Sequence, residues 1–344
     1  MTIHDLESIA RQLVAPGKGI LAADESTGTI KKRFDSIGLE STEENRRAYR
    51  DLLFSTPGAE EFISGVILYD ETLRQSASDG RPFAQVLRDR GILPGIKVDQ
   101  GAKPLPFAPG EKVTEGLDGL RERCAEYREL GATFTKWRAV IDIDGKKGLP
   151  SDLAIDANAH ALARYAALAV EQGLVPIVEP EVLMDGDHSL ETCFMVTERT
   201  LRRVFAALYE HRVTLHSILL KPNMVLPGKK HPKQASPEEV ARATVECFER
   251  CVPAAVPGIV FLSGGQSEEE ATANLDAMNR LGPLPWQLSF SYGRALQASA
   301  LAAWKGKAEN REAAQRAFHH RAQLNSAARH GRYEPKMEKV AVGR

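Results

Sequence analysis

The chain has 344 residues, with 45 Lys and Arg against 46 Asp and Glu, for a formal charge of −1. This balance is not typical of proteins that bind nucleic acid, and no apolar run approaches the ~20 residues of a membrane-spanning helix. The N-terminus lacks a signal-peptide pattern and the four cysteines lack disulfide or metal-ligand spacing, so we expect a cytoplasmic protein.

Eight short apolar runs recur along the chain, and each of them is followed by polar or charged residues. In chain order they are 19–23, 66–69, 93–98, 134–141, 175–178, 218–220, 259–262 and 286–290. Near-continuous apolar runs of this length, separated by helical patterns, are typical of a parallel sheet that is covered on both faces.

The helical patterns between these runs have ordinary start signals. Ser236-Pro237 and Ser267 precede acidic first turns, and the segments 152–172 and 190–209 are clearly helical. Eight strands alternating with helices predict an α/β protein, a single (β/α)8 TIM barrel over residues 1–344 with a short C-terminal tail from about 334. A doubly wound open sheet is the alternative, but the turn at 24–28 is not the GxGxxG of that fold.

Ionisable residues gather at the carboxyl ends of the predicted strands, where barrels of this kind place their catalytic groups. Side chains two residues apart in a strand share a face, which pairs Lys97 with Asp99, Lys136 with Arg138, and Glu179 with Glu181. If these faces point inward, one mouth also collects Asp24 and Lys221. One charged strand end is ordinarily just solvated, but charged ends on most strands are typical of a functional or structural network.

Lysines close to one another can supply a nucleophile. An exposed ammonium cannot attack a carbonyl, whereas neighbouring cations and desolvation favour the neutral amine that forms a Schiff base. Lys221 ends the most apolar strand and is the candidate nucleophile on this ground. Lys136 is its expected cationic neighbour, and Glu179, on the strand between them, is the candidate general acid or base.

The seventh and eighth strands end differently, in Ser263-Gly264-Gly265 and Tyr292-Gly293-Arg294. Glycines let backbone N–H groups approach an anion, and these two loops form the common phosphate site of the barrel fold. The basic segment 31–33 suggests a second phosphate, with a solvated helix turn as the equal alternative. The histidines have no metal-ligand spacing, so no metal is expected, and we interpret the basic loop 228–233 as solvated.

The chain resembles class I, Schiff-base-forming fructose-bisphosphate aldolases over essentially its whole length. The matching stretches are LAADESTGTIKKRF (21–34), PGIKVDQG (94–101), KWR (136–138), GLVPIVEPEVLMDGDH (173–188), LLKPNMV (219–225), FLSGGQSEEE (261–270) and FSYGRALQASAL (290–301). The resemblance implies a (β/α)8 homotetramer without metal or cofactor. It also implies reversible cleavage of the sugar bisphosphate fructose 1,6-bisphosphate to dihydroxyacetone phosphate and glyceraldehyde 3-phosphate, in glycolysis and gluconeogenesis.

The resemblance also implies roles for individual residues. Lys221 would form the Schiff base and Glu179 would transfer protons, while Asp24 and Lys136 would position the reacting groups. The supporting residues would be Glu181, which tunes the proton network, and Arg138, which binds substrate. The matches to the ketone-side phosphate site are Ser263, Gly264, Gly265, Ser291, Gly293 and Arg294. The matches to the other phosphate site are Ser26, Thr29, Arg33 and Lys97.

Two departures from the family pattern accompany these matches. Thr29 stands where animal members commonly have Ser, and the chain ends at Arg344 without the terminal Tyr that assists enamine protonation in many relatives. We therefore expect another group or water to protonate the enamine. Preference among fructose 1,6-bisphosphate, fructose 1-phosphate and sedoheptulose 1,7-bisphosphate stays open, as does a non-catalytic scaffold. Metal-dependent class II chemistry is disfavoured because the sequence shows no ligand cluster.

Overall fold

A computed structural model describes residues 2–340. Its strands are β1 Gly19–Ala23, β2 Ile63–Leu68, β3 Leu93–Lys97, β4 Ala102–Pro104, β5 Lys112–Thr114, β6 Phe134–Ile141, β7 Val175–Val182, β8 Leu219–Leu220, β9 Gly258–Phe261 and β10 Gln287–Tyr292. Its α-helices are α1 Ile3–Leu13, α2 Thr27–Asp35, α3 Glu43–Phe54, α4 Asp70–Leu73, α5 Phe83–Asp89, α6 Leu120–Glu129, α7 Asp152–Glu171, α8 Leu190–Glu210, α9 Pro237–Cys251, α10 Glu268–Asn279, α11 Arg294–Trp304 and α12 Arg311–Arg329. Short 3₁₀ helices span Ala59–Glu61, Leu215–Ser217, Ala308–Asn310 and Pro335–Val340.

Eight of these strands close into a parallel barrel in the order β1-β10-β9-β8-β7-β6-β3-β2, with β2 pairing back to β1. Each corresponds to one predicted apolar run, so the prediction of a (β/α)8 barrel is confirmed and the doubly wound alternative is wrong. The differences lie at strand ends: β7 continues to Val182, which places Glu179 and Glu181 inside the strand, and β8 has only two residues.

The sequence interpretation missed the antiparallel ribbon formed by β4 and β5. Most of its residues are exposed, so no apolar alternation marks it. Two hydrogen bonds fix the inner end of the ribbon. The Thr114 N–H donates to Asn158 Oδ1 over 3.2 Å, and the Thr114 hydroxyl donates to the Arg138 carbonyl over 2.8 Å. The ribbon is therefore anchored to α7 and to the strand that carries Arg138.

The interior of the barrel is apolar at its amino end. Phe134 lies at the centre with Ile177 and Leu219, and α1 closes this end with Leu13 and other apolar side chains. Glycine is required on the neighbouring strand β3, because a Cβ atom added to Gly95 would overlap the Phe134 ring. Close packing at this end leaves polar chemistry to the opposite end of the barrel.

Replacing Gly95 by alanine should lower the free energy of unfolding by about 1–3 kcal/mol, because the added methyl group forces the Phe134 ring out of its packed position. The matched control is Gly145→Ala, where an added Cβ meets no atom within 4 Å and the backbone is not left-handed. Urea denaturation at one protein concentration measures both variants. Equal stabilities for the two variants would contradict the packing at Phe134.

Successive side chains of β6 point alternately toward the surrounding helices and toward the interior of the barrel. Thr135 and Trp137 point outward, where the Thr135 hydroxyl lies 2.9 Å from that of Tyr165 and the Trp137 and Tyr165 rings stack at 5.5 Å. Phe134, Lys136 and Arg138 therefore share the inner face. This period-two arrangement carries Lys136 and Arg138 from the apolar interior toward the open mouth.

The C-terminal segment packs back on the barrel. Arg321 of α12 lies 2.8 Å from the Glu338 carboxylate, and the Tyr333 hydroxyl donates a hydrogen bond to Glu338 over 2.7 Å. The expected tail from about residue 334 is thus held against α12 as far as this contact, and residues 341–344 lie outside the described part. Within residues 2–340, no helix is long and apolar enough to span a membrane.

Candidate active site

A cluster of charges occupies the barrel mouth, with Lys136 at its centre. The Nζ atom of Lys136 lies 2.7 Å from Asp24, which follows β1, and 3.4 Å from Glu179 on β7. Asp99, which follows β3, is 4.0 Å away on a further side. Lys136 is only 3% exposed, so these carboxylates compensate an ammonium group that water barely reaches.

Lys221 lies directly beyond the two-residue strand β8. Its backbone N–H donates to the Val178 carbonyl over 2.8 Å, so pairing with β7 continues one residue past the strand. The side chain is 3% exposed and its Nζ atom lies 3.4 Å from Glu179 Oε1. Glu179 therefore stands between Lys221 and Lys136, and its Oε2 atom accepts no hydrogen bond from the described residues. A buried oxygen with a free lone pair is suited to receive a proton.

Electrostatic attraction within the cluster keeps Asp24 and Lys136 charged. Burial opposes ionisation of Asp24, but attraction to Lys136 and Lys221 is stronger and lowers the pKa of Asp24 well below its ordinary value of 3.8. Burial likewise opposes the charge of Lys136, yet Asp24, Glu179 and Asp99 raise its pKa well above 10.5. Lys136 is therefore a permanent cation and not a nucleophile.

The lowered pKa of Asp24 makes the stability of the fold depend on pH. Ionised Asp24 contributes stability above its unfolded-state pKa of about 3.9, and this contribution is lost as pH falls through the lower folded-state value. Asp24→Asn should cost about 2–3 kcal/mol of unfolding free energy near neutral pH, and the difference from the wild type should shrink below pH ~4.

Urea unfolding across this pH range, at fixed protein concentration, measures the effect. The exposed Asp118 supplies the matched control Asp118→Asn, which should be close to neutral throughout. A destabilisation by Asp24→Asn that is the same at pH 3 and pH 7 would contradict the ion pair with Lys136.

The rim of the cluster holds two further pairs. Arg138 is 43% exposed in its side chain and lies 2.5 Å from Glu181, while Lys97 lies 2.7 Å from Asp99. Asn223, which sequence reasoning missed, accepts the Val182 N–H over 3.0 Å and thereby fixes the end of β7 beside Glu181. No local sequence pattern predicts this hydrogen bond, because an asparagine after a strand is ordinarily interpreted as a turn residue.

The loops after β9 and β10 meet at one side of the mouth. Gly264 has a left-handed backbone (φ 55°), and Arg294 donates to the carbonyls of Gly264 and Gln266 over 3.4 and 3.1 Å. The Ser291 hydroxyl is buried and has no hydrogen-bond partner among the described residues. The neighbouring matches Ser263, Gly265 and Gly293 lie on the same two loops. An unpartnered hydroxyl beside glycines and a guanidinium is suited to an anion.

The basic segment 31–33, which follows β1, places fewer cations near the mouth than its composition suggested. Lys31 pairs with Asp35 on the exposed side of α2, whereas Arg33 turns inward to Glu25 and lies near Gly293. Only Arg33 of the basic segment 31–33 therefore has a buried partner near the mouth. The hydroxyls of Ser26 and Thr29 lie 3.1 Å apart at the start of this helix.

Glu25 forms a buried network that the sequence interpretation missed. Its carboxylate pairs with Arg33 and lies 2.5 Å from Arg50 of α3, and it accepts a hydrogen bond from Gln297 of α11 over 3.0 Å. Period-two alternation shows only that Glu25 faces away from Asp24. Its partners come from helices distant in sequence, so the network holds α2, α3 and α11 together behind the mouth.

The basic loop 228–233 is largely exposed, as expected, but Lys229 also makes a contact that the sequence interpretation missed. Its side chain lies directly against Gly265 of the loop after β9, although Lys229 is exposed to solvent, as is Lys230. No charge pattern could have identified this contact, because the two loops are separated by helix α9.

Cysteines and histidines form no centre of their own in the described chain. The four cysteines are free, and Cys124, Cys193 and Cys247 are buried. His188 is buried immediately before Ser189, the N-cap of α8, and burial lowers its pKa below 6.5. Over residues 2–340, no group of three His, Cys, Asp or Glu side chains is placed to hold a metal ion.

Comparisons with known proteins agree on one family. The family model "Fructose-bisphosphate aldolase class-I" matches residues 5–344. A probable class 1 fructose-bisphosphate aldolase of Xanthomonas campestris is 59% identical over 97% of this chain and 100% of its own length. The relative "Fructose-bisphosphate aldolase 4, cytosolic" of Arabidopsis thaliana is 56% identical over 96% of this chain and 84% of its own. A solved structure of the Plasmodium falciparum aldolase with TRAP and an inhibitor has a TM-score of 0.95 and 54% identity, covering 96% of both chains.

Proposed function

The chain belongs to the class I fructose-bisphosphate aldolase family, and we propose that Lys221 carries the Schiff base of its reaction. As a glycolytic aldehyde-lyase it reversibly cleaves fructose 1,6-bisphosphate to dihydroxyacetone phosphate and glyceraldehyde 3-phosphate. The observation that supports Lys221 is the 3.4 Å separation of its Nζ atom from Glu179 at the carboxyl end of a closed parallel barrel. A buried amine beside a carboxylate can exchange the protons that Schiff-base formation requires.

Glu179 is the proposed general acid and base. Attack of the Lys221 amine on the C2 carbonyl gives a carbinolamine, whose hydroxyl leaves as water after Glu179 protonates it. The protonated iminium then accepts the electron pair of the C3–C4 bond while the C4 hydroxyl gives its proton to Glu179. Glyceraldehyde 3-phosphate leaves, and protonation of the enamine at C3 followed by hydrolysis releases dihydroxyacetone phosphate and Lys221.

The other charged residues of the mouth hold this pair in place. Lys136, with its raised pKa, keeps Glu179 oriented from the side opposite Lys221 and cannot itself compete as a nucleophile. Asp24 compensates the charge of Lys136, and the two residues position the C4 hydroxyl whose proton passes to Glu179. Glu181 and Arg138, paired at the rim, tune the proton network and contact the substrate.

Two phosphate subsites flank the reacting carbons in this proposal. The ketone-side phosphate binds between the loops after β9 and β10, where the unpartnered Ser291 hydroxyl supports an anion site. Its residues are Ser263, Gly264, Gly265, Ser291, Gly293 and Arg294. The other phosphate binds at Ser26, Thr29, Arg33 and Lys97. This arrangement favours the bisphosphate over fructose 1-phosphate, and initial rates on a panel that includes sedoheptulose 1,7-bisphosphate test it.

Borohydride trapping tests the proposed nucleophile. The protein is incubated with dihydroxyacetone phosphate, reduced with borohydride and mapped by peptide mass spectrometry. A stable adduct on Lys221, absent from Lys221→Ala, is the expected result. An adduct on a different lysine would overturn the assignment. No adduct in the folded wild type, together with inertness toward every ketose phosphate, would favour the scaffold alternative.

We also propose a homotetramer of single-domain (β/α)8 subunits that acts in the cytosol. The tetramer is an expectation from the family, and sedimentation equilibrium at micromolar concentration tests it. The Arabidopsis relative described as cytosolic supports the compartment, as do four cysteines that form no disulfide.

A further inference from the structure

Lys229 packs on Gly265, the last residue of the Ser263-Gly264-Gly265 turn in the proposed ketone-side phosphate site. A Cβ atom added to Gly265 would overlap both the Cε and the Nζ atoms of Lys229. The ammonium group therefore lies against the backbone of the loop. Its one carboxylate partner in the described chain is Asp185, at 3.3 Å, in a pair that is largely exposed to solvent. Such an exposed pair contributes little to stability and leaves the ammonium free to take a stronger partner.

The Gly265 N–H, which could donate a hydrogen bond to an anion, has Met184 as its acceptor in the structure. The Gly265 N–H donates to the Met184 sulfur over 3.1 Å. A thioether is a weak acceptor, so this hydrogen bond is easily exchanged for one to a charged oxygen. The Lys229 ammonium and the Gly265 N–H thus meet at one point of the loop, and neither has a strong partner there.

Backbone hydrogen bonds hold Lys229 in this position. The Lys229 N–H donates to the Met184 carbonyl over 2.8 Å, and the Gly228 N–H donates to the His188 carbonyl over 2.8 Å. A Cβ atom on Gly228 would overlap the Gly186 carbonyl, so the two loops approach as closely as glycine permits. The lysine therefore projects from an ordered turn.

We propose that Lys229 is a further phosphate-binding residue of the ketone-side subsite, in addition to the residues that match the family motif. The inference rests on the proposed function. When the phosphate enters, one of its oxygens replaces the Met184 sulfur at the Gly265 N–H, and the Lys229 ammonium moves from Asp185 to the phosphate. A phosphate dianion is the ligand that suits an ammonium group and a backbone N–H meeting at a glycine loop. Lys229 acts on binding and takes no part in proton transfer.

The variant Lys229→Met isolates this charge, because methionine keeps an unbranched side chain over Gly265 while removing the ammonium. Lys230→Met is the matched control, since Lys230 is the next residue of the same loop and is exposed as Lys229 is. Both are measured in the condensation direction, where dihydroxyacetone phosphate occupies the ketone side. We expect Lys229→Met to raise the KM for dihydroxyacetone phosphate about five- to tenfold. In Lys229→Met, the KM for glyceraldehyde 3-phosphate and kcat should stay within about twofold of the wild-type values. All three constants of Lys230→Met should stay within the same range.

Salt dependence separates a charge effect from a change in loop shape. Added NaCl should raise the KM for dihydroxyacetone phosphate more steeply in the wild type than in Lys229→Met, because the variant has one fewer cation to screen. An unchanged KM for dihydroxyacetone phosphate, an equal increase for both substrates, an equal effect of Lys230→Met, or parallel salt dependences would each overturn the role of Lys229. Borohydride trapping on Lys221 tests the proposed function separately, because Lys229→Met should still form that adduct.

Discussion

Lys221→Ala should lower kcat for fructose 1,6-bisphosphate cleavage by at least about 10⁴-fold, because in the proposed mechanism the Lys221 amine forms the covalent intermediate. Lys136 is the nearest substitute, but Asp24, Glu179 and Asp99 hold it as an ammonium. The KM should change far less, because the phosphate subsites bind the substrate independently of the nucleophile. A coupled assay of glyceraldehyde 3-phosphate release measures both constants.

The matched control is Lys103→Ala, on the exposed ribbon strand β4, which should retain wild-type kcat. We expect Lys221→Ala to fold, because Glu179 keeps Lys136 as its counter-charge. Circular dichroism and urea unfolding measure this. Residual activity above about 1% of wild type in a folded Lys221→Ala sample would assign the Schiff base elsewhere.

Glu179→Gln should lower kcat by about 10²- to 10⁴-fold, the range ordinarily lost with a general acid or base. The substitution preserves shape but removes the ability to exchange a proton beside Lys221 and Lys136. Both carbinolamine dehydration and C3–C4 cleavage should slow, so the yield of borohydride-trapped adduct at short times should fall together with kcat. Rapid-quench trapping measures this coupling.

Glu171→Gln serves as the control, because Glu171 is an exposed residue of α7 that pairs only with Arg121 among the described residues. It should leave kcat within about twofold of wild type.

Glu181→Gln tests whether the two glutamates of β7 have different roles. It should lower kcat less than Glu179→Gln does, because Glu181 pairs with Arg138 whereas Glu179 lies beside the proposed nucleophile Lys221. A larger loss for Glu181→Gln would exchange the proposed roles of the two glutamates.

The fold and much of the charge cluster were predictable because they depend on local regularities. Apolar runs alternating with helical patterns specify βα units, and such units close into a barrel when eight occur in succession. The two-residue alternation of strand side chains predicted that Lys136 and Arg138 share a face, and the structure shows that this face points inward, because Trp137 packs outward against Tyr165. Residues at the carboxyl ends of parallel strands then meet at one mouth whatever the intervening sequence.

Other features depend on the tertiary structure alone. Glu25 pairs with Arg50 across 25 residues of sequence, and Lys229 packs on Gly265 across the whole of α9. The exposed ribbon of β4 and β5 is a third example, because its sequence has no alternation of apolar residues from which strands could be predicted. The first two contacts join segments that are distant in sequence, and the ribbon is anchored to the barrel only through the hydrogen bonds of Thr114 to Asn158 and Arg138. The sequence by itself therefore determined the barrel and the charged residues at the carboxyl ends of its strands, whereas the pairing of those residues and the packing of Lys229 on Gly265 were decided by contacts between distant segments.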